Sequence, residues 1–144
     1  MGDPMLEHCE WRKGDQAARF EPPDILWIKF RGTISFEEAK WLVGLFQELG
    51  SQRALFVVAD MTENSGYDVE GRRYASENME PEWFSGIVYL GARLIHKAAA
   101  KGISLVQRLR GKPTVPVYFV SSEEEARHLL ARLSSTQEPP AAHP

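Results

Sequence analysis

Two stretches of this 144-residue chain hold the side chains best suited to chemistry. The first contains Asp60, Thr62, Ser65, Tyr67 and Asp68, with Arg72 and Arg73 close behind. A carboxylate just past an apolar run is where many catalytic acids sit, and it equally serves to cap the turn that follows. Arginines so near it either neutralise that carboxylate or point outward and meet a partner. The second stretch contains Arg93, Lys97, Lys101 and Arg108, which with Ser104 recur at spacings of four, four, three and four. No Asp or Glu occurs between Trp83 and Ser122, so on a helix these residues make one cationic stripe. Such a stripe suits an acidic protein, an anionic lipid headgroup or a phosphate; its plainer role is to keep a helix face solvated.

An enzyme needs a nucleophile, a base and an orienting group within reach of one another. His8 and Cys9 are neighbours, and neighbours on a strand point to opposite faces. His96, His128 and His143 fall in separate segments. No His or Cys spacing suits a metal, and no glycine-rich phosphate loop follows a strand. The expectation is therefore no catalytic residue, no metal and no cofactor, with an uncharacterised hydrolase-like activity centred on Asp60 as the alternative. Trp41 (beside Leu45), Trp83 and Phe84 are either core or an aromatic patch for self-association or a partner, or they line an apolar pocket.

The elements that must position these groups follow from pattern. Residues 54–59, Ala-Leu-Phe-Val-Val-Ala, read as a strand buried on both faces, hence central in a sheet, opening into a polar loop over Thr62–Asp68. Before it, Ala17–Glu21 and Ile25–Arg31 flank Pro22-Pro23-Asp24 and predict an antiparallel hairpin. Leu26, Ile28 and Phe30 alternate with Trp27, Lys29 and Arg31, so the two sets face opposite sides. Ser35 and Glu38 form a capping box that opens a helix ending at Gly50, with Ala39, Leu42, Phe46 and Leu49 inward. Asp68 is placed to cap a short helix, in which Gly71 is unfavourable. Gly86–Ala92 reads as a further strand, 93–110 as the longest helix with Leu109 on its apolar stripe, and 117–120 as the last strand. Ser122 and Glu125 open a final helix whose core face is Ala126, Leu129, Leu130 and Leu133. Alternation of strand and helix requires a mainly parallel mixed sheet with an antiparallel N-terminal edge strand or hairpin and about four helices, an α/β fold. Residues 1–15 form an N-terminal segment with an edge strand over Leu6–Trp11, 16–133 a single domain, and 134–144 a disordered tail.

Composition bounds the partners. Hydrophobic residues make up 43% and charged residues 26% of the chain, as in globular proteins. A net charge of −3 gives no whole-molecule attraction to nucleic acid or an anionic membrane, so such a partner would need a local patch, and no nucleic acid is expected. The lone Cys9, with no apolar leader and no membrane-spanning run, points to the cytoplasm.

Arg31-Gly32-Thr33 at the end of the second hairpin strand, Asp60-Met61-Thr62, Gly71-Arg72-Arg73 and Ser122–Ala126, in that order of elements, resemble the SpoIIAA-like family. These are small single-domain relatives of STAS (sulfate transporter and anti-sigma factor antagonist) domains, grouped also with Sec14-type lipid-transfer domains. The resemblance runs from about Ala17 to Leu133. It implies a STAS-like fold and a non-catalytic regulatory module that docks on a protein partner and is switched by a phosphate at the start of the helix after the central strand. The matching segment here, Asn64–Val69, lacks the family's Asp-Ser-Ser/Thr-Gly pattern. Ser65 is the nearest acceptor, with turn chemistry as its simpler role.

The function expected is thus a regulatory or scaffolding protein-interaction module. Asp60, Thr62, Ser65, Tyr67, Asp68, Arg72 and Arg73 meet the partner, and the stripe Arg93, Lys97, Lys101 and Arg108 faces an anion or partner. The alternatives are a small-ligand or lipid binder with an apolar pocket, or the enzyme at Asp60. A homo-oligomer is compatible with each.

Overall fold

A computed structural model of the chain describes residues 9–93, 97, 101, 108–109, 111 and 114–136. The described elements are β1 (Glu10–Lys13), β2 (Gln16–Glu21), β3 (Ile25–Ile34), α1 (Phe36–Gly50), β4 (Leu55–Tyr67), α2 (Val69–Asn78), a 3-10 turn (Pro81–Trp83), β5 (Phe84–Leu90), β6 (Val117–Val120) and α3 (Glu123–Thr136). The strands form one six-stranded sheet in the order β1-β2-β3-β4-β5-β6. β1–β2 and β2–β3 are antiparallel, and β3–β4, β4–β5 and β5–β6 are parallel. This is the mixed α/β sheet expected, with three rather than about four helices among the described residues. The helix expected over 93–110 lies largely outside those residues, although Lys97, Lys101, Arg108 and Leu109 are helical. The edge strand predicted over Leu6–Trp11 begins later, at Glu10; the tail expected from 134 does not begin there, because α3 continues through Thr136; and residues 1–8 and 137–144 lie outside the described residues.

Strand order explains how the faces are covered. When parallel neighbours follow one another across a sheet, right-handed crossovers put their helices on the same face. The core on that face joins α1 residues Ala39, Leu42, Phe46 and Leu49 to Leu26, Ile28, Leu55, Val57 and Ala59, with Ala75 and Met79 from the α2 end. Α β-hairpin needs no helix, so the opposite face is left to α3. Its smaller core gathers Trp27, Phe56, Val58 and Val88 under Ala126 and Leu130. Leu55 to Ala59 are buried on both sides, which makes β4 the central strand expected of that apolar run.

The helix signals work as read. Ser35 accepts from the Glu38 amide at 3.1 Å while the Glu38 carboxylate accepts from the Ser35 amide at 2.9 Å, completing the capping box. Gln16, 1% exposed, extends it: its side-chain amide donates to Glu38 and to the Arg31 carbonyl, and its carbonyl accepts from the Arg31 amide. Burial pushes the Glu38 carboxyl up, but hydrogen bonds from Ser35, Gln16 and Asp15 outweigh it and hold the group below its ordinary range. Ser122 likewise accepts from the Glu125 amide at 3.1 Å, though the Glu125 carboxylate reaches back to Ser121 rather than Ser122. Gly71, unfavourable by propensity, is explained by packing. A Cβ there would lie 3.2 Å from both the Ala39 side chain and the Ser35 carbonyl, so the missing methyl lets α2 close on α1.

Candidate interaction site at the end of the central strand

The polar loop expected after Asp60 is not a loop. β4 continues through Met61–Tyr67, because β3 is long enough to pair with it: Arg31 lies opposite Glu63, Gly32 opposite Asn64, Thr33 opposite Gly66 and Ile34 opposite Tyr67. Register shifts interrupt this pairing between Lys29 and Arg31 and between Gly32 and Thr33, and Asn64 repairs the second. Its side chain, 1% exposed, donates to the carbonyls of Gly32 and Gly66 and accepts from the Gly66 amide at 2.9 Å. Gly66 takes φ 119°, open to glycine but not to a branched residue. Polar composition concealed the strand; the Asn-Ser-Gly run that suggested a turn is the repair of a bulge.

Extension of β4 separates the residues read as one surface. Asp60 sits on the α3 face opposite Lys29, whose ammonium lies 3.8 Å from Asp60 and 2.9 Å from Glu63. Arg31 approaches Glu63 at 3.5 Å. The other Asp60 oxygen accepts from the Thr62 amide at 3.0 Å and from its hydroxyl. Lys29 holds the exposed Glu63 carboxyl below its ordinary range, with Arg31 adding to the effect. Asp60 thus pairs with Lys29 and not with Arg72 or Arg73. At about 3.3 Å per residue, roughly 20–25 Å of strand separates it from the start of α2.

Tyr67 turns to the α1 face and packs on that core. Burial pushes its phenol up to about 12, so it stays neutral at ordinary pH; burial, with the neighbouring Tyr67, also raises Tyr89. The surface that remains accessible lies just beyond. Ser65 and Asp68 are exposed, as are Glu70, Arg72 and Arg73 on α2. Asp68 occupies the N-cap position with its backbone, but its carboxylate makes no capping bond, so capping does not account for its charge. Val69, the first residue of α2, is 62% exposed and was not singled out by sequence; a β-branched residue directly after an N-cap Asp is the one signal it offers. None of Asp68, Glu70, Arg72 or Arg73 has an ion-pair partner among the described residues.

The remaining predicted groups lie elsewhere. Within the cationic stripe, Arg93 donates to the Asn64 carbonyl at 2.5 Å, and Lys97 stands 5.3 Å over the Phe119 ring, which stacks on Tyr89. Lys97, Lys101 and Arg108 are exposed. Leu109, expected inward, is 77% exposed. The exposed aromatic patch does not form: Trp83 and Phe84 are core residues against Phe46, Leu45 is buried, and Trp41 is half-buried on the same core. Gly50 allows this, since a Cβ there would meet the Trp83 side chain at 2.5 Å. A surface depression of about 310 Å3 opens on the other face, beside Trp27, Lys29 and Asp60, and neither Trp41 nor Trp83 lines it. Among the described residues no group of three His, Cys, Asp or Glu is placed to hold a metal, and no helix is long and apolar enough to cross a membrane.

No family model and no curated protein matches the chain. Solved structures do. The anti-sigma factor antagonist SpoIIAA in its unphosphorylated form superposes with a TM-score of 0.54 at 12% identity, over 80% of this chain and 96% of that one. An uncharacterised Shewanella loihica protein with a SpoIIAA-like fold gives 0.55 at 15% identity, over 78% and 89%. The chain has a SpoIIAA-like fold. The phosphorylated form of SpoIIAA, a Bacillus cell fate determinant, agrees at 0.51 and 10% identity, over 78% and 96%. At such identities the likeness is one of architecture.

Proposed function

We propose that this SpoIIAA-like domain is a non-catalytic regulatory module that binds a protein through the outer side of α2 and the strand end leading into it. The observation that carries the reading is the state of the charges there. On the α3 face Lys29, Arg31, Asp60 and Glu63 neutralise one another. Beside the exposed Val69, by contrast, Asp68, Glu70, Arg72 and Arg73 stand without ion pairs among the described residues. An exposed apolar side chain ringed by uncommitted charges is the composition of a recognition patch with a central contact and a polar rim. SpoIIAA, whose fold this is, is an anti-sigma factor antagonist solved with and without phosphate, which favours a docking role over catalysis.

The partner's complementary surface would offer an apolar contact to Val69 and carboxylates to Arg72 and Arg73. Ser65, exposed three residues before Asp68, is the acceptor through which phosphorylation would act, by adding negative charge where Asp68 already stands. Reversing both arginines, Arg72→Glu with Arg73→Glu, tests the reading in pull-downs from the native cell. Loss of a captured protein with an unchanged circular dichroism melt is expected. Undiminished capture would count against this surface.

A further inference from the structure

The face of the sheet opposite α2 carries a second constellation, independent of the reading above. In the N-terminal hairpin the register places Arg12 and Lys29 on either side of Ala17. Arg19, two residues along β2, shares their face. Three cations therefore surround a side chain of a single methyl, and the depression of about 310 Å3 opens over it, with Trp27 and Leu90 supplying apolar lining. Lys29, Asp60 and Leu90 lie side by side across β3, β4 and β5, so the depression crosses the sheet at that level, from the hairpin to β5.

The carboxylates at its border are largely spoken for. Asp60 is held by Lys29 and Thr62, and Glu123 accepts from Arg127 at 3.1 Å; Glu10 is exposed. Donors remain on all three cations. Arg12 has no ion pair among the described residues. Arg19 approaches Glu21 at 3.7 Å through one nitrogen. Lys29 keeps a third ammonium hydrogen after Glu63 and Asp60. An oxyanion seated over Ala17 would reach each of them, and a phosphate dianion offers three oxygens to three cations.

We propose that the notch over Ala17 binds the phosphate of a small phosphomonoester whose apolar part lies against Leu90. The test is a titration of the isotopically labelled full chain, at low ionic strength, with phenyl phosphate and with inorganic phosphate, followed by amide chemical shifts. The expected result is saturable shifts at Arg12, Ala17, Arg19 and Lys29, with phenyl phosphate binding more tightly. Removing one charge-assisted hydrogen bond by Arg12→Gln weakens binding about tenfold. Ala17→Glu, which sets a carboxylate in the notch, abolishes it. Should that variant not fold, Arg12→Gln combined with Lys29→Gln, both at exposed or half-buried positions, serves in its place. Shifts that are absent, unsaturable or indifferent to Arg12→Gln would overturn the site. Shifts confined to Lys97, Lys101 and Arg108 would overturn it in favour of that stripe, and equal affinity for the two phosphates would overturn the choice of an ester. None of these outcomes bears on partner capture through α2.

Discussion

The two faces of the sheet are built from the same strands and held by different forces. On the α1 face, twenty buried apolar residues among those described form one core running from Ala18 of β2 to Val115, just before β6. On the α3 face six do so, and polar contacts supplement them. Arg127 of α3 stacks 4.6 Å over Trp27 and donates twice to Glu21, at 3.1 and 3.2 Å, and once to Glu123. Trp27 donates its indole N–H to the same Glu21 at 3.0 Å, and Arg19 covers the ring from 5.5 Å. One face is thus closed by area and the other by a clasp. A frame that draws its stability from one side can leave the second side polar and can carry a helix end, α2, whose charges are not needed for folding.

Breaking the large core should cost most. Leu26→Ala, at a fully buried position in the α1-side core, is expected to lower unfolding free energy by about 3–4 kcal/mol in urea, because transfer and cavity terms add. Leu130→Ala on α3, 5% exposed, belongs at the low end of the same range, about 2 kcal/mol, since a terminal helix can settle towards the sheet. Equal losses at both positions would erase the contrast between the faces. Gly71→Leu tests how α2 is held. A side chain where even a methyl comes within 3.2 Å of α1 should cost about 1–3 kcal/mol and detach α2, reducing partner capture.

The clasp on the α3 face is sensitive to pH, unlike the apolar core on the other. The Arg127 guanidinium holds the Glu21 carboxyl below its ordinary value of 4.5, assisted by Trp27 and Arg19. A lowered folded value stabilises the ionised form, so the contribution is complete above about pH 4.5 and is lost as pH falls through the folded value. Arg127→Ala is expected to cost about 1–2 kcal/mol near neutrality, an ion pair and a cation–π contact at half-exposed positions. It should also flatten the decline of stability on acidification. A variant whose acid profile matches the parent would show that Glu21 contributes nothing. The smallest stability effect belongs to Arg72→Glu with Arg73→Glu, within about 0.5 kcal/mol.

Much of the frame was legible in sequence, and the reason is local. The alternation Leu26, Ile28, Phe30 against Trp27, Lys29, Arg31 fixes which residues meet α1 and which meet the other face. The Ser35–Glu38 and Ser122–Glu125 pairs mark helix starts because capping involves only neighbouring groups. What was not legible depends on partners distant in sequence. The strand from Met61 to Tyr67 exists because Arg31–Ile34 lie beside it, and within it Glu63 and Asn64 are met by Lys29, Arg31 and Gly32 of β3. Trp83 and Phe84 looked available for a surface because nothing near them in sequence shows that Gly50 clears space for Trp83. Likewise Asp60 appeared close to Arg72 and Arg73 by residue number, whereas the intervening extended chain carries them apart and leaves Lys29, on a neighbouring strand, as its counter-ion. At the candidate site the arginines of α2 were found by sequence, but Val69 between them and Asp68 was not, since exposure of a valine in a first helical turn is a property of packing.

Photocrosslinking from the two faces distinguishes a docking surface on α2 from one on the α3 face. A photoreactive amino acid is placed at position 69 on α2 in one variant and at position 31 on the α3 face in another, each expressed in the native cell. A discrete protein adduct is expected from position 69, disappearing when Arg72 and Arg73 are both reversed to Glu, and none from position 31. An adduct from position 31 alone, or one from position 69 untouched by the charge reversal, would contradict docking through α2.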